Sequence, residues 1–130
     1  MATIERFEDI EAWKDARELT KLIYETWNSG DFSRDFGLRD QIRRASVSVM
    51  SNIAEGFERG GDNEFHHYLS LAKGSNGEVR SQLYVAFDAH FITQDIFQSL
   101  YTRSEVIGKP LSALMTYLRR SDLRGNKFKP

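Results

Sequence analysis

The chain has 130 residues, of which 40% are hydrophobic and 28% charged, with a net charge of −1; that length supports one core but not two, in the ordinary globular range. Its lack of any cysteine excludes disulfides, thiolate catalysis and cysteine-based metal sites. No apolar run approaches the roughly 20 residues that cross a bilayer, and the acidic opening MATIERFEDIEAW is unlike a signal peptide, so a cytoplasmic protein without a membrane partner is expected.

The small net charge hides an asymmetry. Residues 1–37 carry five basic and nine acidic groups and residues 61–102 two and five, whereas residues 103–130 carry seven and two. A basic end on an acidic body can attract nucleic acid or pair with the acidic half of a neighbouring copy.

Trp13, Ala16, Thr20, Ile23 and Trp27 recur at steps of three and four, which predicts a first helix of about 20 residues. NSGDFSRDFG interrupts it with turn-forming residues. Leu38, Ile42, Ala45, Val49, Ile53 and Phe57 form the stripe of a second helix, ended by Gly60 and Gly61. Phe65, Leu69, Ala72, Asn76, Val79, Leu83, Ala86 and His90 then alternate steps of four and three without a slip, the seam of a third helix packed in bundle fashion. Asp62 is its expected N-cap, and His90 is expected in the core with a hydrogen-bond partner. Thr93 is placed to cap a fourth helix carrying Ile96, Leu100, Ile107, Leu111, Leu114 and Leu118. Four helices joined by short turns predict an all-α protein, an antiparallel up-down-up-down four-helix bundle over residues 1–120. The segment from Ser121 to Pro130 lacks periodicity and is expected as a flexible basic tail.

The second and third helices are crowded with small residues. A glycine inside a helix costs about 1 kcal/mol relative to alanine, so Gly56, Gly74 and Gly77 require a return. Close approach of the two helices would supply it: Ala45, Ser48, Asn52 and Gly56 run antiparallel to Ala72, Gly74 and Gly77, leaving no reactive cavity. The same register brings Arg44 to the neighbourhood of Glu78, a candidate ion pair.

Catalytic and metal chemistry find little support. One Glu-x-x-His pair, Glu64 and His67, starts the third helix, and a di-iron bundle needs two such pairs with two further glutamates; no metal or cofactor is expected. The serines of SVSVMS lie mid-helix without the strained turn or histidine base that a nucleophile needs. For nucleic acid the candidates are Arg39, Arg43 and Arg44 on the second helix, with Arg119, Arg120, Arg124, Lys127 and Lys129 at the C-terminus; the C-terminal five could give weak, salt-dependent, sequence-independent binding.

Besides the core seam, Tyr68, Leu71, Val85, Ala89 and Ile92 on the third helix and Ala12, Leu19 and Leu22 on the first form second apolar sets, as if to meet another copy. FEDIEAWKDARELTKLIYETW, and then QIRRASVS, NIAEGF and AKGSNGEVRSQL in that order, make the chain resemble the four-helix-bundle proteins encoded in intervening sequences of bacterial 23S ribosomal RNA genes. The resemblance spans residues 7–118. It implies a ring-shaped homo-oligomer, a homopentamer with a central channel, without enzymatic activity or a small-molecule substrate. Related accessory proteins of diversity-generating retroelements share the build and bind a reverse transcriptase and nucleic acid. The function expected is therefore an oligomeric scaffold or adaptor whose client is RNA or an RNA-handling protein; a direct RNA-binding module is the alternative.

Overall fold

The computed structural model describes residues 4–28 and 35–123, the side chains of 121–123 excepted. After a short 3-10 turn at Phe7–Asp9 come four helices: α1 (Glu11–Thr26), α2 (Phe36–Arg59), α3 (Asp62–Asp88) and α4 (Gln94–Leu123). Among the described residues there is no strand, and no helix is long and apolar enough to cross a membrane.

The stripe of α2 is buried as its spacing predicts, from Leu38 to Phe57. Asp35 starts the helix by accepting the Leu38 amide at 2.9 Å, and Gly60 stops it at φ +83°, a conformation that costs glycine little. The α3 seam is likewise buried from Phe65 through Ala86. Its ends differ from expectation. Gly61 occupies the cap position and Asp62 is the first helical residue, with both carboxylate oxygens buried.

His90 is exposed rather than in the core. It adopts φ +65°, while the Phe91 amide bonds the Ala86 carbonyl at 2.8 Å and the His90 amide bonds that of Phe87 at 3.0 Å. These are the two bonds of a Schellman stop, which turns the chain one step before the apolar rhythm would have placed His90 inward. Thr93 caps α4 as predicted, accepting the Ile96 amide at 3.2 Å.

On α1 the buried face lies one position from the expected stripe. Ala12, Ala16, Leu19, Ile23 and Trp27 are buried, whereas Trp13 and Thr20 are half-buried. Both sets have three-four spacing, and the leucine outcompetes the threonine for the interior. Thr20 bonds back to the Ala16 carbonyl at 2.8 Å, and Trp13 packs edge-on against Phe7 at the rim. Ala12 and Leu19, expected to meet another copy, thus belong to the core, as does Ile92.

On α4, Leu100, Ile107, Leu111, Leu114 and Leu118 are buried and Ile96 half-buried. The helix runs through Leu123, past the expected boundary at 120, and residues 124–130 lie outside the described set. Packing joins α1 to α2, α2 to α3, α3 to α4 and α4 back to α1, so four apolar stripes close around a single core in an all-α four-helix bundle.

Candidate functional site

The α2–α3 seam is tight at one end and open at the other. A Cβ built on Gly56 would lie 2.7 Å from Tyr68 Cβ and 3.0 Å from Phe65 Cδ1. Only a glycine lets the two backbones meet there. Ala72 and Ala45 are buried along the same seam. The expectation of a cavity-free contact fails one half-length away, where a groove of about 260 Å³ opens between Gln41, Arg44, Ala45 and Ser48 of α2 and Ser75, Glu78 and Gln82 of α3. Gly74 and Gly77 do not serve the contact either: a Cβ on Gly74 would meet nothing within 4 Å, and one on Gly77 only the Arg80 guanidinium at 3.9 Å. At 100° per residue, positions 74 and 77 point away from the side on which Ala72 and Ser75 face their neighbours.

The groove is polar, and its hydroxyls are committed to each other. Ser48 Oγ and Ser75 Oγ share a hydrogen bond of 2.9 Å, and Asn52 Nδ2 donates to the Ser48 carbonyl and hydroxyl at 2.9 and 3.0 Å. Gln82 Oε1 is buried without a hydrogen-bond partner. Arg44 and Glu78 line the same groove, yet no ion pair joins them among the described residues. Both are exposed; in water two unit charges 4 Å apart attract by only about 1 kcal/mol, which immobilising two long side chains offsets. No histidine lines the groove, and the two serine hydroxyls bond each other, with no hydrogen bond from either to the Glu78 carboxylate among the described residues.

The candidate nucleic-acid residues are divided between the two ends of the bundle. The Arg39 guanidinium stacks 4.6 Å over Phe36 and reaches Asp40 at 3.4 Å. Arg43 stacks 4.5 Å over Tyr24 and donates to the Trp27 carbonyl at 3.5 Å, at the end of α1. Arg119 instead lies by the start of α3, where it donates to His66 Nε2 at 3.2 Å; Arg120 is exposed beside it. Sixteen residues of α2 separate Arg43 from the α3 end of that helix, roughly 24 Å at 1.5 Å per residue. One continuous basic surface therefore does not form from these residues. Arg124, Lys127 and Lys129 lie outside the described residues.

Sequence reasoning missed the most buried polar network. Asn76 Nδ2 donates to the Ser104 carbonyl at 2.9 Å, Ser104 Oγ donates to Asn76 Oδ1 at 2.7 Å, and Arg80 reaches Ser104 Oγ at 3.1 Å. Ser104 fills the gap between Leu100 and Ile107 in the α4 stripe, one helical step from each, and that gap was the available signal. The network fixes the α3–α4 register and saturates its own donors and acceptors. Glu64 and His67 are both exposed, and no group of three or more metal-ligating side chains gathers among the described residues.

A family model described as 23S rRNA-intervening sequence protein matches residues 8–113. The chain belongs to that family. A solved member of the S23 ribosomal protein family from Bacteroides thetaiotaomicron, itself of unknown function, has the same fold at a TM-score of 0.74 and 20% identity, covering 81% of this chain and 95% of its own. No curated protein matches.

The segments that carry the family resemblance converge in space. QIRRASVS supplies Gln41, Arg44 and Ser48 to the groove, NIAEGF supplies Asn52 and Gly56, and AKGSNGEVRSQL supplies Ala72, Ser75, Glu78 and Gln82. In this member of the 23S rRNA-intervening sequence family the motifs thus build one α2–α3 surface.

Proposed function

We propose that this chain is a non-catalytic scaffold or adaptor: an up-down-up-down bundle that assembles with copies of itself into a ring, a homopentamer, and works in the cytoplasm with RNA or an RNA-handling protein as its client. The observation that carries the non-catalytic part is the commitment of the groove's hydroxyls. Ser48 and Ser75 bond each other and Asn52 donates to Ser48, so the convergent polar groups hold two helices in register rather than activate a nucleophile. The assembly and the client follow from family resemblance and from the opposed charges along the chain.

Direct RNA binding is the second reading, favoured by the exposure of Arg119 and Arg120 beside the C-terminal cations. A filter-binding salt titration with a structured transcript separates the two. The scaffold reading expects affinity no tighter than non-specific binding, about 10⁻⁴–10⁻⁶ M at physiological salt. Tight binding with a steep salt slope that flattens when Arg119, Arg120, Arg124, Lys127 and Lys129 are neutralised would replace it by the RNA-binding reading.

A further inference from the structure

The groove between α2 and α3 has one cationic wall and one anionic wall. On α2, Arg44 presents a guanidinium, which can only donate hydrogen bonds, with Gln41 about one turn before it; on α3, Glu78 presents a carboxylate, which accepts them, with Gln82 about one turn after it. Arg44 and Glu78 are the two charged side chains that line the groove. Neither forms an ion pair with any described residue. Opposite charges that share a groove of about 260 Å³ and stay apart leave room between them for a molecule that carries both complements.

Two further observations define that molecule. Gln82 Oε1 is buried without a hydrogen-bond partner; leaving such an oxygen unpaired is costly, and a donor on the Glu78 side would satisfy it. The serines offer a ligand little, since Ser48 and Ser75 already bond each other at 2.9 Å. The volume lies below the roughly 300–1,000 Å³ of pockets that take drug-sized ligands, so the occupant is small.

We propose that this groove binds a small zwitterion, a free α-amino acid, whose carboxylate meets Arg44 and whose ammonium meets Glu78 and Gln82 Oε1. A simple anion would leave Glu78 and Gln82 unanswered, and a simple cation would leave Arg44 so. Both wall charges are exposed, so water weakens each contact and the dissociation constant is of millimolar order, about 1 mM. The groove lies within one chain, so its ligand requires neither the assembly nor the client of the scaffold reading, and no bond is made or broken there.

The test is saturation-transfer difference NMR on the full-length chain, which reads weak ligands whatever the oligomeric mass. The probes are L-alanine, L-serine and L-glutamine, each compared with its amide, which lacks the carboxylate, and with its deaminated acid, which lacks the ammonium. At least one amino acid should give a saturable signal that either deletion weakens by at least about tenfold. Arg44→Gln and Glu78→Gln should each weaken it as much, whereas Arg103→Gln, an exposed cation on α4 outside the groove, should leave it unchanged. The substituted positions are exposed, so far-UV circular dichroism should match the parent chain. No saturable signal from any of the three amino acids at millimolar concentration would overturn the proposal. So would equal binding of the deaminated acid, which would reduce the site to an arginine holding an anion, or a signal that survives both Arg44→Gln and Glu78→Gln.

Discussion

At the residue scale, the glycines show how alike two residues can be in sequence and how unlike in role. Gly56 in the last turn of α2 and Gly74 in the middle of α3 are both helical, but of the two only Gly56 lacks room for a Cβ. Gly56→Ala must push apart helices at a 2.7 Å contact, and the expected loss is about 1–3 kcal/mol in urea unfolding. Gly74→Ala meets nothing within its own chain and should add up to about 1 kcal/mol through helix propensity in the same urea unfolding. Equal effects of the two substitutions would contradict this division. His66 gives a pH signature. Burial first, and then the charge of Arg119, hold its imidazole below the ordinary 6.5. Above that value the ring is neutral in both states and stability is indifferent to it. As pH falls below it the unfolded chain takes the proton first, so stability declines toward the lowered folded value. His66→Gln should flatten the stability profile as pH falls below the ordinary imidazole value of 6.5; an unchanged slope would show that His66 is not its source.

At the element scale, the helices were legible because their apolar residues keep the 3.6 period, and the α2, α3 and α4 stripes are buried nearly as read. The α1 face was not, because two offset sets share the spacing and only side-chain volume chooses between them. Periodicity also ran one step too far at His90, since it carries no information about where a chain turns. There a backbone bond pattern decides, in a left-handed conformation that glycine tolerates better than histidine. His90→Gly should therefore raise the melting temperature by the equivalent of about 0.5–1 kcal/mol; a lower melting temperature would mean that the His90 side chain contributes contacts that outweigh its backbone strain. The candidate site was half legible. The motifs pointed to the α2–α3 seam, and Ser48, Asn52 and Gly56 do work there. The groove was hidden, because a small side chain at the right spacing marks either a close contact or an opening, and the choice depends on which way each residue faces across the antiparallel register. Arg44 and Glu78 met the spacing for a pair and remain apart, since exposure to water removes most of the incentive.

At the scale of the whole molecule, one core closes four helices, and what remains outside is uneven. Carboxylates outnumber cations at the exposed positions of α2 and α3, cations outnumber carboxylates at those of α1 and α4, and both pairs expose large apolar side chains. Of the basic residues expected to bind nucleic acid, Arg43 lies by the end of α1 and Arg119 by the start of α3, so these two face opposite ends of the bundle within one copy. The mass of the full chain in solution, measured by multi-angle light scattering at micromolar concentration and moderate salt, tests this account most directly. A closed oligomer of five times 15.0 kDa is the expected result, and a species of 15.0 kDa that stays monomeric as concentration rises would contradict it.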